Sequence, residues 1–240
     1  MSDQDFRDLT YWKATRTDGT DFHTGTVDYA AALASGVPVT VAPDSGWDEG
    51  TDFPGPRWLH MATVPTECVG MSWPCRLFEV GPADDLGEDR PRHAHKVGAT
   101  SVRVLREIEA HRVFGPQGEQ VAALIERSRA LSAAEADRLA AAWGAAWGAA
   151  WGAAWDAARG ATWAAWDASR ATRRAAWKAA WDASRGALDA ARGATWGLLL
   201  RDLIGQYPGW DQDAYDLLTG PWRDAIGPIH PDDAPMAGSS

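Results

Sequence analysis

The stretch WGAAWGAAWGAAWDAARGATWAAWDASRATRRAAWKAAWDASRGALDAARGATWGLLL, residues 143–200, decides how this chain is read. It contains no proline and is dominated by alanine and tryptophan, a composition and length that favour helix over strand. Trp155, Trp166, Trp177, Leu188 and Leu199 are spaced by eleven, and so are Arg159, Arg170, Trp181, Arg192 and Leu203. Eleven residues complete three turns at about 3.67 residues per turn, so each row runs nearly straight along the helix. Trp, Arg and Leu gather on one broad face, while Ala, Gly, Ser and Thr occupy the other. The helix therefore divides large side chains from small ones, rather than apolar from polar.

Working outward, Ser132-Ala-Ala-Glu135 has the form of a capping box and sets the start. No proline follows until Pro208, and Gly205 supplies a stop signal. The expectation is one very long helix from Ser132 to Ile204, about 110 Å if unbroken. Its pairs, such as Asp156 with Arg159 and Asp189 with Arg192, contribute only about 0.2–0.5 kcal/mol each. Its glycines, Gly144, Gly148, Gly152, Gly160, Gly186, Gly193 and Gly197, each cost up to about 1 kcal/mol relative to alanine. Local terms roughly cancel, so the helix needs a partner surface: another copy of itself, or its own fold-back. Ala157, Ala168, Ala179 and Ala190 are placed at the close contact. Trp155, Trp166, Trp177 and Trp181 lie on the wider side, near the arginines. Gly144-x-x-x-Gly148-x-x-x-Gly152 is a second small-residue track.

Upstream, short β-type segments alternate with turns. Tyr11–Thr17 and Asp21–Thr26 flank an Asp18-Gly19 turn and read as a hairpin. Tyr29–Ala34 reads as one or two helical turns closed by Gly36, and Val37–Val41 as an edge strand because of Pro38. Trp58–Val64, Arg76–Val80 and Val97–Glu107 are further strands; Asp44–Pro56 is a loop and Ala83–His95 a polar, mobile segment. Glu119–Arg129 is a short amphipathic helix. Beyond Gly205, a turn at Tyr207–Gly209 and a short helix from Gln212 to Leu218 bring Trp210, Tyr215, Leu218 and Trp222 together, and Pro231–Ser240 is expected to be disordered. The fold class is α+β: a β-rich head over 1–112, a linker and short helix over 113–131, the helical repeat over 132–204, and a cap and tail over 205–240.

The net charge of −10 argues against a general nucleic-acid binder. The charge is uneven, −7 over residues 1–130, +2 over 131–204 and −5 over 205–240, and aspartates neutralise the arginines of the tryptophan face. Leu139–Trp155 is uncharged, but alanine and glycine are weakly apolar and tryptophan prefers interfaces, so packing against protein is expected instead of a membrane span. Two cysteines make no disulfide framework, and the opening MSDQDFRDLTYWK has no apolar run, so a cytoplasmic protein is expected.

The phrases KATRTDGTDFHTGTVDYAAAL (13–33), WLHMATVPTECVGMSWPCRLFEV (58–80), SVRVLREI (101–108) and LLLRDLIGQ…YDLLTGPW (198–222), together with the Ala/Trp/Asp/Arg repeats, are those of a known group of sequences. On them the chain resembles an uncharacterised family of actinobacteria and their phages. The resemblance implies a phage or actinobacterial origin, and it brings no reaction, cofactor or site residue.

Few residues invite chemistry. Cys68 and Cys75, with His60, His93 and His95, offer metal-ligand types, but Cys-x6-Cys is looser than structural zinc spacing. No metal or cofactor is expected. His60 and Glu79 lie on successive strands, with Lys13 and Arg16 on the first, a pattern distantly like ADP-ribosyltransferase-like folds. The reading that follows is a non-enzymatic structural or interaction protein that associates with itself or another protein through its alanine-rich helix. The alternative is an ADP-ribosyltransferase-like or nucleotide-binding head on a helical stalk, with His60 and Glu79 as its only catalytic candidates.

Overall fold

The computed structural model describes residues 10–40, 58–68, 72–84, 86–88, 95–146, 154, 156–161 and 189–233. The chain forms two compact units, Met1–Val113 and Phe114–Ser240. The architecture is mixed α+β.

Among the described residues of the first unit, seven strands make one antiparallel sheet: β1 (Tyr11–Thr15), β2 (Val39–Thr40), β3 (Leu59–Ala62), β4 (Arg76–Pro82), β5 (Leu86–Glu88), β6 (Lys96–Ala99) and β7 (Ser101–Ile108). Their order is β2-β7-β4-β1-β3-β6-β5. β4 pairs with β7 and β5 with β6, so 76–108 is one long hairpin bent between Pro82 and Leu86 on one arm and at Thr100 on the other. Its two halves lie on either side of the β1–β3 pair, and the sheet curls to accommodate that. Both edge strands are short, two and three residues, which blunts the edges against further pairing. Helix α1 (Tyr29–Ser35) begins where the Asp28 carboxylate accepts from Ala31 N at 2.8 Å and ends on Gly36, whose φ of 69° suits glycine. Tyr29 of α1 joins Tyr11, Leu59, Met61, Phe78, Val80, Val97, Ala99 and Val102 in the core of this unit.

Three expectations for this unit need correction. Asp21–Thr26 does not return as a strand; a single bridge joins Thr20 to Asp28. Instead the Asp21 carboxylate accepts from the amides of His23, Thr24, Thr26 and Val27 and from the Thr24 hydroxyl. Those bonds give the backbone an alternative to a ladder. Val97–Glu107 is two strands, because the bend at Thr100 sends each half to a different partner. The polar stretch after Ala83 contains a short edge strand, β5, whose Leu86 packs against the core. Asp44–Pro56 lies outside the described residues, as do 89–94.

The second unit is helical: α2 (Gly118–Arg129), α3 (Ala133–Ala146), α4 (156–161, with Ala154 also helical), α5 (189–199) and α6 (Gln212–Ala225). The capping box forms as expected. Ser132 N donates to Glu135 Oε2 at 2.9 Å, and Glu135 N donates to Ser132 Oγ at 3.3 Å. Its core joins Ala154, Ala158 and Ala161 of α4 to Trp196 of α5, Leu200, Trp210, and Ala214, Tyr215 and Leu218 of α6. The buried Trp210 Nε1 donates to Leu200 O at 2.9 Å.

One straight helix over Ser132–Ile204 is excluded by the described residues. The Trp143 ring lies 3.6 Å from the position a Cβ on Gly193 would occupy. Fifty residues of unbroken helix would hold them about 75 Å apart. The stop near Gly205 is real: α5 gives way to a 3-10 turn at Arg201–Leu203 before Gly205 at φ 77°. The last helix is longer than expected and passes through Pro221 to Ala225, with Trp222 buried on its inner side. Residues 231–233, expected to be disordered, form a 3-10 turn. Arg201 holds Asp232 at 2.8 Å, Arg223 lies 3.7 Å from Asp233, and Tyr215 Oη donates to Asp233 at 3.3 Å. Residues 234–240 lie outside the described set.

Candidate functional site

β1 is the strand around which the head's chemistry gathers, since it pairs with β3 on one side and β4 on the other. Alternation sends Tyr11 and Lys13 to the core face and Trp12 to the opposite face. Trp12 stands opposite both Glu79 and Ala62, so Glu79, Trp12 and Ala62 form a row, with His60 two residues further along β3. His60 and Glu79 therefore share a face, with β1 between their strands. Two strand spacings and a two-residue offset put their Cα atoms about 12 Å apart.

Glu79 is engaged elsewhere. Arg106 Nε and Nη2 donate to its two carboxylate oxygens at 2.6 and 2.8 Å. This paired hydrogen bond holds the Glu79 carboxyl below its usual range, and the carboxylate is committed to a cross-strand tie between β4 and β7. The carbonyl oxygen of His60 accepts from Lys13 Nζ at 3.1 Å. Arg16 Nη2 donates to Phe22 O at 3.3 Å and braces the Asp21 loop.

Lys13 was considered from sequence only as a neighbour of the candidate pair, yet it occupies the more unusual environment. Its amine sits 5.4 Å from the centroid of the fully buried Tyr29 ring. Desolvation pushes its pKa down, opposed by the more distant Cys68 and Asp21. The signal was present in the sequence as a lysine in register with Tyr11 and Thr15, both buried on that face of β1. Asp21 was also missed. Burial raises its carboxyl, but the Thr24 hydroxyl and the amides of Thr24, Val27 and His23 outweigh that and hold it well below the usual range.

Cys68 and Cys75 are free and buried, and desolvation pushes both thiols up to about 12. Among the described residues no group of three or more His, Cys, Asp or Glu is placed to hold a metal ion. His95 Nδ1 lies 3.2 Å from Thr63 Oγ1, and His93 lies outside the described residues.

Of the residues assigned to association, Ala157 and Ala190 are described. Ala190 is fully buried, and Ala157 Cβ lies 3.3 Å from the Cβ position of Gly209. Ala168, Ala179, Trp155, Trp166, Trp177 and Trp181 lie outside the described residues. The close crossing that can be described is between α5 and α6. A Cβ on Gly193 would stand 2.9 Å from Leu218 O, and one on Gly197 would stand 2.5 Å from Thr219 Cγ2. Ala190, Gly193, Ala194 and Gly197 follow i, i+3, i+4, i+7 spacing, so they form one face. Of the other small-residue track, Gly144 would meet nothing within 4 Å of an added Cβ, and Gly148 and Gly152 lie outside the described residues. A shallow cleft of about 220 Å³ opens between α2 and the end of α6, lined by Leu124, Arg127, Trp222 and Ile229. Its arginine is tied to Glu135 at 2.5 Å.

Comparison with family models, with curated proteins and with solved structures finds no match to this chain. No described helix is long and apolar enough to cross a membrane.

Proposed function

We propose that this is a non-enzymatic interaction protein, an accessory protein of an actinobacterium or its phage acting in the host cytoplasm. It associates with itself or another protein through the small-residue face of its helical repeat. The observation that carries the reading is the seating of Gly193 and Gly197 against α6, with Ala190 and Ala194 buried on the same face. It supports the idea that the division of large from small side chains serves close helix packing. In the described part that face is covered from within the unit, so association is assigned to the remainder of the repeat, at Ala168 and Ala179.

The enzyme reading has less support. The strands of His60 and Glu79 are separated by β1, and Glu79 is already held by Arg106. Light scattering on the full chain tests the proposal. Wild type should exceed the monomer mass, Ala168→Leu with Ala179→Leu should lower it by forcing backbones apart, and Arg170→Lys should leave it unchanged. A monomeric wild type together with a calorimetric NAD signal lost in Glu79→Gln would reverse the ranking.

A further inference from the structure

The C-terminal segment meets the small-residue face of the repeat at two separate places. Along α5, a Cβ on Gly193 would stand 2.9 Å from Leu218 O and one on Gly197 2.5 Å from Thr219 Cγ2, and Ala190, Ala191 and Ala194 are buried. Along α4, Ala154, Ala158 and Ala161 are buried in one cluster with Trp210, Tyr215 and Leu218. Ala157 Cβ lies 3.3 Å from the Cβ position of Gly209, in the turn that precedes α6. Leu218 takes part in both contacts.

In the sequence these two places are one surface repeated. Ala157, Ala158 and Ala161 stand 33 residues, three repeats, before Ala190, Ala191 and Ala194. The same rows hold Ala168, Ser169 and Thr172 in the next repeat and Ala179, Ala180 and Ala183 in the one after, all small. A face that recurs every eleven residues gives a partner helix no single register. Sliding by one repeat, about 16 Å along the axis, presents the same surface again. Burial is roughly proportional to area and does not distinguish such alignments. Association then runs on open-ended or in mixed registers unless the ends of the face are closed, as terminal repeats close the ends of stacked-repeat proteins.

We propose that α6 and the turn before it are a built-in cap for the self-associating face. By covering that face at 154–161 and again at 190–197, the segment confines the helix of a second copy to the middle repeats and so fixes register and number of copies. It is an autoinhibitory contact, because the surface it seats on at Gly193 and Gly197 is one that a second helix could approach equally closely. The cap presupposes the association proposed above and sets a limit to it.

Leu218 is fully buried, so Leu218→Asp in the full chain lifts α6 without altering the repeat. Light scattering during size-exclusion chromatography should show the mass rise at least about two-fold over wild type, in a broader distribution, as closed ends become open ones. Adding Ala168→Leu and Ala179→Leu to that variant should abolish the rise by forcing the backbones apart. Leu218→Ala, which keeps an apolar contact, should give a smaller rise, and it is the variant read if circular dichroism shows that Leu218→Asp has lost helix. Wild type above the monomer mass, with the Leu218 variants no heavier, would overturn the cap and leave the association standing. A monomeric wild type with monomeric variants would overturn both. A monomeric wild type with associating variants would support the cap and overturn the association of the native chain. A rise that survives the two leucines would overturn the cap, since it would not come from the small face.

Discussion

Asp21 shows how much one side chain decides in the head. Its carboxylate gathers five donors from His23 to Val27, so the loop that a hairpin would otherwise replace is built around a single charge. Asp21→Asn should destabilise the first unit by about 2–3 kcal/mol, since hydrogen bonds to a charged group are the strong ones. The folded pKa is depressed, so this stability is full above the unfolded value near 4 and is lost as pH falls toward the folded value. The variant should therefore lose stability at neutral pH and show a flatter acid limb in urea titrations followed by tryptophan fluorescence. Parallel acid limbs in the two proteins would refute this account. The cysteines make a simpler case. Both thiols are buried and raised to about 12, so the native chain should give no fast reaction with a thiol reagent and two equivalents after unfolding. A rapid native equivalent would contradict the burial described.

At the scale of elements, glycine is costly in one part of the repeat and required in another. Gly160 has nothing within 4 Å of an added Cβ, whereas Gly193 would press against a carbonyl oxygen of α6. Gly160→Ala should stabilise by up to about 1 kcal/mol through helix propensity. Gly193→Ala should destabilise by about 1–3 kcal/mol, because the overpacking exceeds that gain. Chemical denaturation of both variants checks the pair, and equal signs would refute the crossing. The same scale explains where the strands were misjudged. Val97–Glu107 reads as one β-type run, but its apolar positions change phase across Thr100, from Val97 and Ala99 to Val102 and Val104, and there the partners change. Edge strand β5 is short and sits in a charged stretch that by composition alone reads as loop, although its Leu86 packs against the core.

For the molecule as a whole, each unit has a core of its own: the aromatic and aliphatic face of the sheet in one, and the Trp196, Trp210 and Tyr215 cluster in the other. Residues 1–113 and 114–240 should therefore each fold when produced separately, with cooperative melts followed by circular dichroism. A fragment without a cooperative transition would show that its core is incomplete. The His60–Glu79 pattern illustrates what sequence order conceals at this scale. The two strands are successive in the sequence, but β1 lies between them in the sheet, and Arg106 from β7 reaches Glu79 first.

What the sequence determined alone was local. The capping box at Ser132, the left-handed stops at Gly36 and Gly205, the turn at Asp18-Gly19 and the helix-forming composition of the repeat each depend on a few neighbouring residues. What only tertiary structure decided was pairing over distance: which strand meets β1, which helix covers Gly193, and that Trp143 meets α5 instead of lying a rod's length from it. Periodicity says which face of an element is small or apolar. It carries no information about which of several equally suitable surfaces will cover that face, because burial is roughly proportional to area and indifferent to order along the chain.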